Sequence, residues 1–310
     1  MGIPQLNRYL TKHCSEQSIS KKHLQSFSGK TIAIDTSIYL YKFSGHNTLM
    51  ENMFSLVSLL KHYKITPIFV FDGRPPNEKM ELLKRRNADK QVAETKYNEL
   101  QQQLDISDEK DDLIAEMDVL KKQFIRIKKE DIDNVKALFN SCGIMHCDAS
   151  GEADQLCAKM VINRQAWACL SDDMDMFVYG CTRVLRHISL INHTVIFYNT
   201  PSILRDLKIQ MNHFREIMVL SGTDYNNKHK TDLNKVMERY NDFRTFGDDA
   251  PSFYQWFQAN VDKPMDADAF ERIYNMFYIS DTTPVQPKQS PCSVDALRTV
   301  MKPYGFVFVE

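Results

Sequence analysis

The sequence has no Cys-x-x-Cys pair, and its seven cysteines are an odd number. A disulfide framework is therefore not expected, and a reducing, intracellular compartment is. No apolar run approaches the roughly 20 residues that span a bilayer, and the N-terminus lacks the apolar stretch of a signal peptide. The start Met1-Gly2 fits an N-myristoylation site only as far as position 6, which is Leu rather than Ser or Thr, so no membrane partner is expected. There is no internal repeat and no low-complexity tract. Net charge is nearly absent at −1, which does not exclude nucleic acid, because placement of charge decides. What is present is ordinary: 43% hydrophobic and 25% charged residues over 310 positions. That composition excludes disorder as the main state.

Two short apolar runs, Thr31–Ile34 and Ile65–Phe71, each end in an aspartate, Asp35 and Asp72. Between them Leu49, Met53, Leu56, Leu59, Leu60 and Tyr63 recur at helical spacing, a β-α-β pattern that implies a parallel sheet. The pattern resumes with a strand over 143–147, a helix over 152–163 and a strand over 167–170. A strand pair follows over 183–188 and 194–198 with Asn192-His193 in its turn, and from about 201 the chain reads as helical, with loops near 247–251 and 281–291. The stretch 77–141 contains neither Gly nor Pro, so long helices are expected there. Leu113, Met117, Leu120, Phe124 and Ile127 form a heptad-like stripe along it. Its charge is blocked: basic Lys79, Lys84, Arg85, Arg86 and Lys90, then seven acids over 105–118, then basic Lys121, Lys122, Arg126, Lys128 and Lys129. A helical insertion with basic surface at its base follows.

Acids cluster where strands end or helices begin: Asp35, Asp72, Glu152, Asp154, Asp172, Asp173 and Asp175, with Asp224 after a helical run. In parallel α/β sheets, functional groups gather outside the carboxyl ends of the strands. Carboxylates converging there repel one another unless cations neutralise them, and an oxygen-only set argues for Mg²⁺ or Mn²⁺ over zinc. Two such ions clamp a phosphoryl displacement. Taken singly, each aspartate reads as a cap or turn residue; five such segments with basic blocks between them point instead to metal-dependent phosphoryl transfer. Cys142, His146 and Cys147 do not suggest zinc, because adjacent residues of a strand face opposite ways.

The segments Met1-Gly-Ile-Pro, Gly29-Lys-Thr-Ile-Ala-Ile-Asp35-Thr-Ser, Phe69-Val-Phe-Asp72-Gly-Arg-Pro-Pro76, Gly151-Glu-Ala-Asp-Gln-Leu-Cys-Ala158, Asp173-Met-Asp175 and Leu220-Ser-Gly-Thr-Asp224-Tyr resemble the flap-endonuclease superfamily of XPG-type, structure-specific 5′ nucleases. The resemblance covers about residues 1–225. It implies an α/β, PIN-like 5′-nuclease fold, with a central mainly parallel sheet flanked by helices, a helical arch and a helical C-terminal region. The expected parts of one globular nuclease domain are 1–76, the arch at 77–130, 131–225, and a diverged duplex-binding part at 226–310. Two Mg²⁺ ions, or Mn²⁺ in their place, are implied at Asp35, Asp72, Glu152 and Asp154 for one, and at Asp173, Asp175 and Asp224 for the other. Lys79 and Arg86 match the catalytic cations, Tyr41 a base-stacking aromatic, and Gly2 the N-terminus packed near the site. Lys84, Arg85, Lys121, Lys122, Arg126, Lys128 and Lys129 are implied DNA contacts.

Two departures stand out. Asp154 replaces the family's usual Glu, one methylene shorter. After Asp224 the Gly-rich hairpin that binds duplex phosphates with potassium is replaced by Asn226-Asn-Lys-His-Lys-Thr-Asp-Leu, where Lys228, His229 and Lys230 offer charge instead. The expected activity is cleavage of branched DNA carrying a 5′ single strand, leaving 5′-phosphate and 3′-hydroxyl ends, by a monomer with no recognisable sliding-clamp motif. A compact, divergent member is implied, with a large DNA virus as a candidate source; the expected location is the nucleus or a viral replication site, otherwise the cytoplasm. A 5′→3′ exoribonuclease and an inactive nuclease-fold scaffold are the alternative readings.

Overall fold

The computed structural model describes residues 2–45, 48–104, 110–226, 231–246, 252–260 and 265–308. Helix α1 (Leu6–His13) precedes β1 (Ile19–His23); β2 (Thr31–Asp35) runs into α2 (Thr36–Ser44), and α3 (Leu49–His62) crosses to β3 (Thr66–Phe71). The insertion comprises α4 (Met80–Leu104) and α5 (Lys110–Lys121), after which α6 (Lys129–Ser141) returns to β4 (Met145–Asp148). Then come α7 (Ala153–Ile162), β5 (Ala168–Leu170), the single-turn α8 (Asp175–Val178), β6 (Arg183–Ser189) and β7 (Thr194–Asn199). Helices α9 (Thr200–Leu207), α10 (Met211–Ser221), α11 (Leu233–Phe246), α12 (Phe253–Ala259), α13 (Ala267–Met276) and α14 (Val294–Met301) follow. None of the described helices is long and apolar enough to cross a membrane.

The seven strands are ordered β1-β7-β6-β5-β2-β3-β4, with β6, β5, β2, β3 and β4 parallel, β7 antiparallel to β6 and β1 antiparallel to β7, so that β7 alone is reversed. The sheet is buried on both faces. On β2, Ala33 packs into one core while Ile32 and Ile34 pack into the other; on β3, Ile68 and Val70 oppose Phe69 and Phe71 in the same way. This double burial explains why the parallel strands read as continuous apolar runs. From β2 the chain winds outward through β3 to β4, then returns to β5 on the other flank of β2. The order therefore reverses between β2 and β5, and a crevice opens outside their carboxyl ends.

The arch carries its own small core, Ala93 and Leu100 on α4 against Met117 and Leu120 on α5, with Leu113 and Phe124 packed on it. The expected stripe breaks at its last member. α5 ends at Lys121, and Ile127 packs instead with the main core beside α3 and α6. The arch apex at 105–109 and the loop at 247–251 lie outside the described residues.

Two edge features are absent from the expected pattern. β1, Ile19-Ser-Lys-Lys-His23, pairs with β7 although only its first two positions are even partly buried. At the opposite edge, Lys288 exchanges both backbone hydrogen bonds with His146 of β4 (3.0 and 2.8 Å). The 281–291 segment is thus a strap that covers an otherwise open edge. His146 and Cys147 face opposite cores, as adjacent strand residues must.

Candidate active site

Asp35 closes β2 and caps α2, accepting from the Ser37 backbone N–H at 3.2 Å. Asp72 follows β3, and its Oδ1 accepts from the backbone N–H of Ala153 at 2.8 Å, which ties it to the start of α7. That link requires close approach of two loops. Gly73 N–H bonds Gly151 O at 2.7 Å, and a side chain at Gly73 would collide with the Ala149 carbonyl. Glu152 and Asp154 open α7, where negative charge is favoured by the helix dipole. After β5, Ser171 hydroxyl donates to Asp35 (3.1 Å) and accepts from Asp173 N–H (3.1 Å), while Asp173 Oδ1 accepts from Asp175 N–H (3.0 Å). Asp224 follows α10. Asp35, Asp72, Glu152, Asp154, Asp173 and Asp224 thus line one cavity of about 460 Å³ outside β2, β3 and β5. Asp175 lies beneath it, 1% exposed, with its Oδ1 lacking any hydrogen-bond partner. Gly2 packs against Asp173 and Asp175.

The opposite wall comes from the arch base. Lys79 pairs with Glu152 and lies 3.9 Å from Asp224; Arg86 bonds Asp224 at 2.8 Å. Read alone, Lys79 is a solvated lysine and Tyr41 a core aromatic. In the structure the Lys79 side chain is 13% exposed, and Tyr41 is 45% exposed at the cavity mouth. Lys90 stands 4.8 Å from the Tyr41 ring centroid.

Sequence reasoning did not single out Ser37, Ser171, Tyr225 or Lys90 as site residues. Ser37 donates to Asp72, and Tyr225 to Glu152. Ser37 and Tyr225 sit inside the acidic segments already quoted, and Ser171 lies two residues before Asp173. Lys90 continues the spacing Lys79, Leu83, Arg86, Lys90, one helical face, all four lining the cavity.

Burial dominates the electrostatics. It pushes the Asp35 carboxyl up to about 8, reinforced by Asp72 and Asp173. Asp154 and Asp175 are held well above the usual carboxylate range by burial and by neighbouring carboxylates, and Asp173 is raised as well, chiefly by burial. Burial lowers the Lys79 ammonium, but the charge and hydrogen bond of Glu152 outweigh it, and its pKa is raised. Lys90 is lowered, by burial and then by Arg126 and Arg86.

No group of three or more His, Cys, Asp or Glu side chains among the described residues stands ready-grouped around a metal position. Ion pairs with Lys79 and Arg86 and hydroxyls from Ser37 and Tyr225 engage the outer carboxylates instead. The donor chemistry nonetheless fits a hard divalent cation. Every candidate ligand is a carboxylate oxygen, and an orphaned buried oxygen such as Asp175 Oδ1 is costly unless a proton or cation meets it.

The remaining DNA-contact candidates divide. Lys122 shares a surface hollow with Tyr41 and Lys90, whereas Lys121 and Arg126 line another between α3 and the arch, Arg126 paired to Glu94 at 2.7 Å. Arg85 reaches the far side of Asp224 and Tyr225. Lys84, Lys128 and Lys129 are exposed, do not line the carboxylate cavity, and are not brought together by the fold. Lys228 and Lys230 lie outside the described residues.

The chain matches the XPG N-terminal domain over residues 1–93 and the XPG I-region over residues 143–224, together more than half its length. It is 28% identical over 244 residues to flap endonuclease 1-B of Oryza sativa subsp. indica, covering 73% of this chain and 57% of that protein. It is 29% identical to flap endonuclease 1-A of Sorghum bicolor, covering 73% and 62%. The match to flap endonuclease 1 of Methanococcus aeolicus is 29% identical and covers 67% of each. The chain thus spans about 60% of the plant relatives. Among solved structures, the catalytic core of Rad2 in complex with DNA substrate superposes with a TM-score of 0.68 at 21% identity, covering 97% of this chain and 94% of that one. Human GEN1 in complex with Holliday junction DNA gives 0.68 at 17%, covering 97% and 73%. Flap endonuclease-1 from Methanococcus jannaschii gives 0.62 at 19%, covering 92% and 90%. These likenesses establish the mainly parallel nuclease-type fold.

Proposed function

The chain belongs to the XPG family, and from that premise we propose that it is a divalent-metal-dependent, structure-specific 5′ nuclease that hydrolyses branched DNA near a junction of single strand and duplex. The observation that carries this reading is the cavity itself: six carboxylates from five separate segments face three cations from the arch base, Lys79, Arg86 and Lys90, with a seventh carboxylate, its Oδ1 unpartnered, beneath. Asp35, Asp72, Glu152 and Asp154 would hold one divalent ion and Asp173, Asp175 and Asp224 the second. Bound ions of this kind supply charge neutralisation and an acidified water for phosphodiester hydrolysis. Lys79 and Arg86 exchange their carboxylate partners for the scissile phosphate and offset the charge that develops on it. Tyr41, half-exposed at the cavity mouth with Lys90 over its ring, offers a face on which a base stacks, while Lys90 and Lys122 attract the adjoining phosphates. Plant and archaeal relatives named flap endonuclease support a flap substrate.

The test is cleavage of end-labelled double-flap, nicked, Y-shaped and four-way DNA, with matched RNA flaps, in Mg²⁺ and in EDTA. Metal-dependent cutting at the flap base is expected, with a loss of 10³-fold or more for Asp173→Ala, in line with removing a charge-stabilising group (~10²–10³) and a metal position together. Equal cleavage by that variant would overturn the assignment. Cutting confined to RNA would move the activity to the exoribonuclease class.

A further inference from the structure

Helix α1 buries Leu6 and Leu10 completely and turns its other face outward. Gln5, Arg8, Tyr9, Lys12 and His13 fall at i, i+3, i+4, i+7 and i+8, the spacing of one helical face. With Asn234 at the start of α11 they line a hollow of about 240 Å³. Tyr9 and His13 stack at 4.3 Å between centroids, and the Asn234 amide donates to Gln5 Oε1 at 3.3 Å, so the hollow has a fixed floor and wall. Among the described residues no carboxylate pairs with Arg8 or Lys12. Asp232, beside Asn234, accepts at its Oδ1 from the Asn234 backbone and side-chain N–H groups and is also hydrogen-bonded by Gln5. A surface with two cations unpaired among the described residues and an imidazole beside them suits an anion.

Its position says which anion. Four residues before the helix begins, Gly2 touches Asp173 and Asp175. On the helix itself, Asn7 Oδ1 accepts from Arg186 Nη1 and from the Tyr198 hydroxyl, both at 2.8 Å, which fixes α1 to β6 and β7. Arg8 is six residues from Gly2, so it lies no more than about 20 Å from the carboxylates. The arch approaches those carboxylates from the β2–β3 side, whereas α1 leaves them on the β6–β7 side. A strand whose single-stranded end enters by the arch therefore continues toward α1. Arg8 and Lys12 are ~6 Å apart along the helix axis, against ~3.4 Å of duplex axis per phosphate on one strand, so the pair spans about two phosphates.

We propose that this face of α1 is a second phosphodiester-binding site, which holds the duplex arm of the substrate on the side of the cavity away from the arch. The assignment rests on the nuclease reading above and adds the surface by which this chain grips duplex.

The experiment measures binding of fluorescent double-flap DNA, and of its single strand alone, by anisotropy over a KCl series with Ca²⁺ replacing Mg²⁺. The wild-type chain is compared with Arg8→Gln/Lys12→Gln, with Lys12→Gln alone, and with Lys30→Gln/Lys64→Gln, which removes equal charge at the amino ends of β2 and β3. The α1 double variant is expected to lose about 10-fold or more in affinity for the flap DNA. Its slope of log K against log salt falls by ~1.8, two phosphate contacts at ~0.9 each, and Lys12→Gln falls by half as much. Single-strand affinity and the Lys30/Lys64 control stay at the wild-type level. Unchanged affinity and slope in both α1 variants, or an equal loss in the control or on single strand, overturns the α1 site while leaving the nuclease reading standing. Wild type that neither binds nor cuts any branched DNA overturns both, and that failure appears before any α1 variant is compared.

Discussion

A methyl group at position 2 has no free volume to enter. Gly2 has φ of +77°, a conformation that costs a side chain about 1 kcal/mol, and its added Cβ would collide with Asp173 Oδ1 and come within 2.5 Å of Asp175 Oδ1. Both carboxylates can rotate away, but only out of the positions from which they would hold an ion. Gly2→Ala is therefore expected to fold and to cut at least about 10-fold more slowly at low Mg²⁺, with partial recovery as Mg²⁺ is raised; an unchanged Mg²⁺ requirement in a titration would count against the role of Gly2. At this scale most of the candidate site was legible. Asp35 and Asp72 end apolar runs, and Asp173 and Asp175 follow one, so the fold has to bring them to the same rim. Ser37, Ser171 and Tyr225 lay in the same segments but could not be read, because each acts on a carboxylate from a different segment. Local pattern carries no record of such pairings.

Elements were legible in proportion to how their pattern depends on burial. The parallel strands are buried on both faces and read as apolar runs; β1 and the Lys288 strap lie at edges, where pairing is made by backbone atoms and polar side chains suffice. The helical region after β7 holds a feature that no periodicity reveals. Glu216 of α10 is buried, accepts backbone N–H groups of Phe253 and Tyr254 at the start of α12, and leaves Oε2 without a partner. Burial pushes its carboxyl up from 4.5 to about 7, against the lowering effect of those two N–H groups, and Tyr240 on α11 feels its charge. In the window between about 4.5 and 7 the folded state keeps a proton that the unfolded state has lost, so stability falls as pH rises and this contribution is gone above about 7. Glu216→Gln keeps an acceptor for the two N–H groups and removes the titration. Its thermal midpoint is expected to match wild type near pH 5 and exceed it by a few degrees at pH 8. Parallel pH profiles for the two proteins would show that Glu216 does not titrate on folding.

For the molecule as a whole, a formal charge of −1 conceals a concentrated cluster of carboxyl groups. Asp35, Asp154, Asp173 and Asp175 are buried together, and Lys79 and Arg86 are drawn down onto Glu152 and Asp224. The fold carries a cluster of carboxyl groups whose ionisation is opposed by burial and by mutual repulsion, and the divalent cation proposed above would relieve that cost. By linkage, an ion at 100 times its dissociation constant adds ~2.7 kcal/mol, several degrees for a chain of this size. Asp175→Asn separates the two effects. It removes a carboxyl whose ionisation burial and Asp173, Asp154 and Asp224 all oppose, and supplies an amide where the native oxygen had no partner. In EDTA the variant is expected to melt at or above the wild-type temperature; in Mg²⁺ the wild type should rise by several degrees and the variant by much less. A variant that melts well below wild type in EDTA, yet keeps the full Mg²⁺ shift, would make Asp175 part of the packing. The expected pattern, in which the variant gains metal-free stability and loses the response to Mg²⁺, would mean that the native carboxylate is retained for the cation at a cost to the fold.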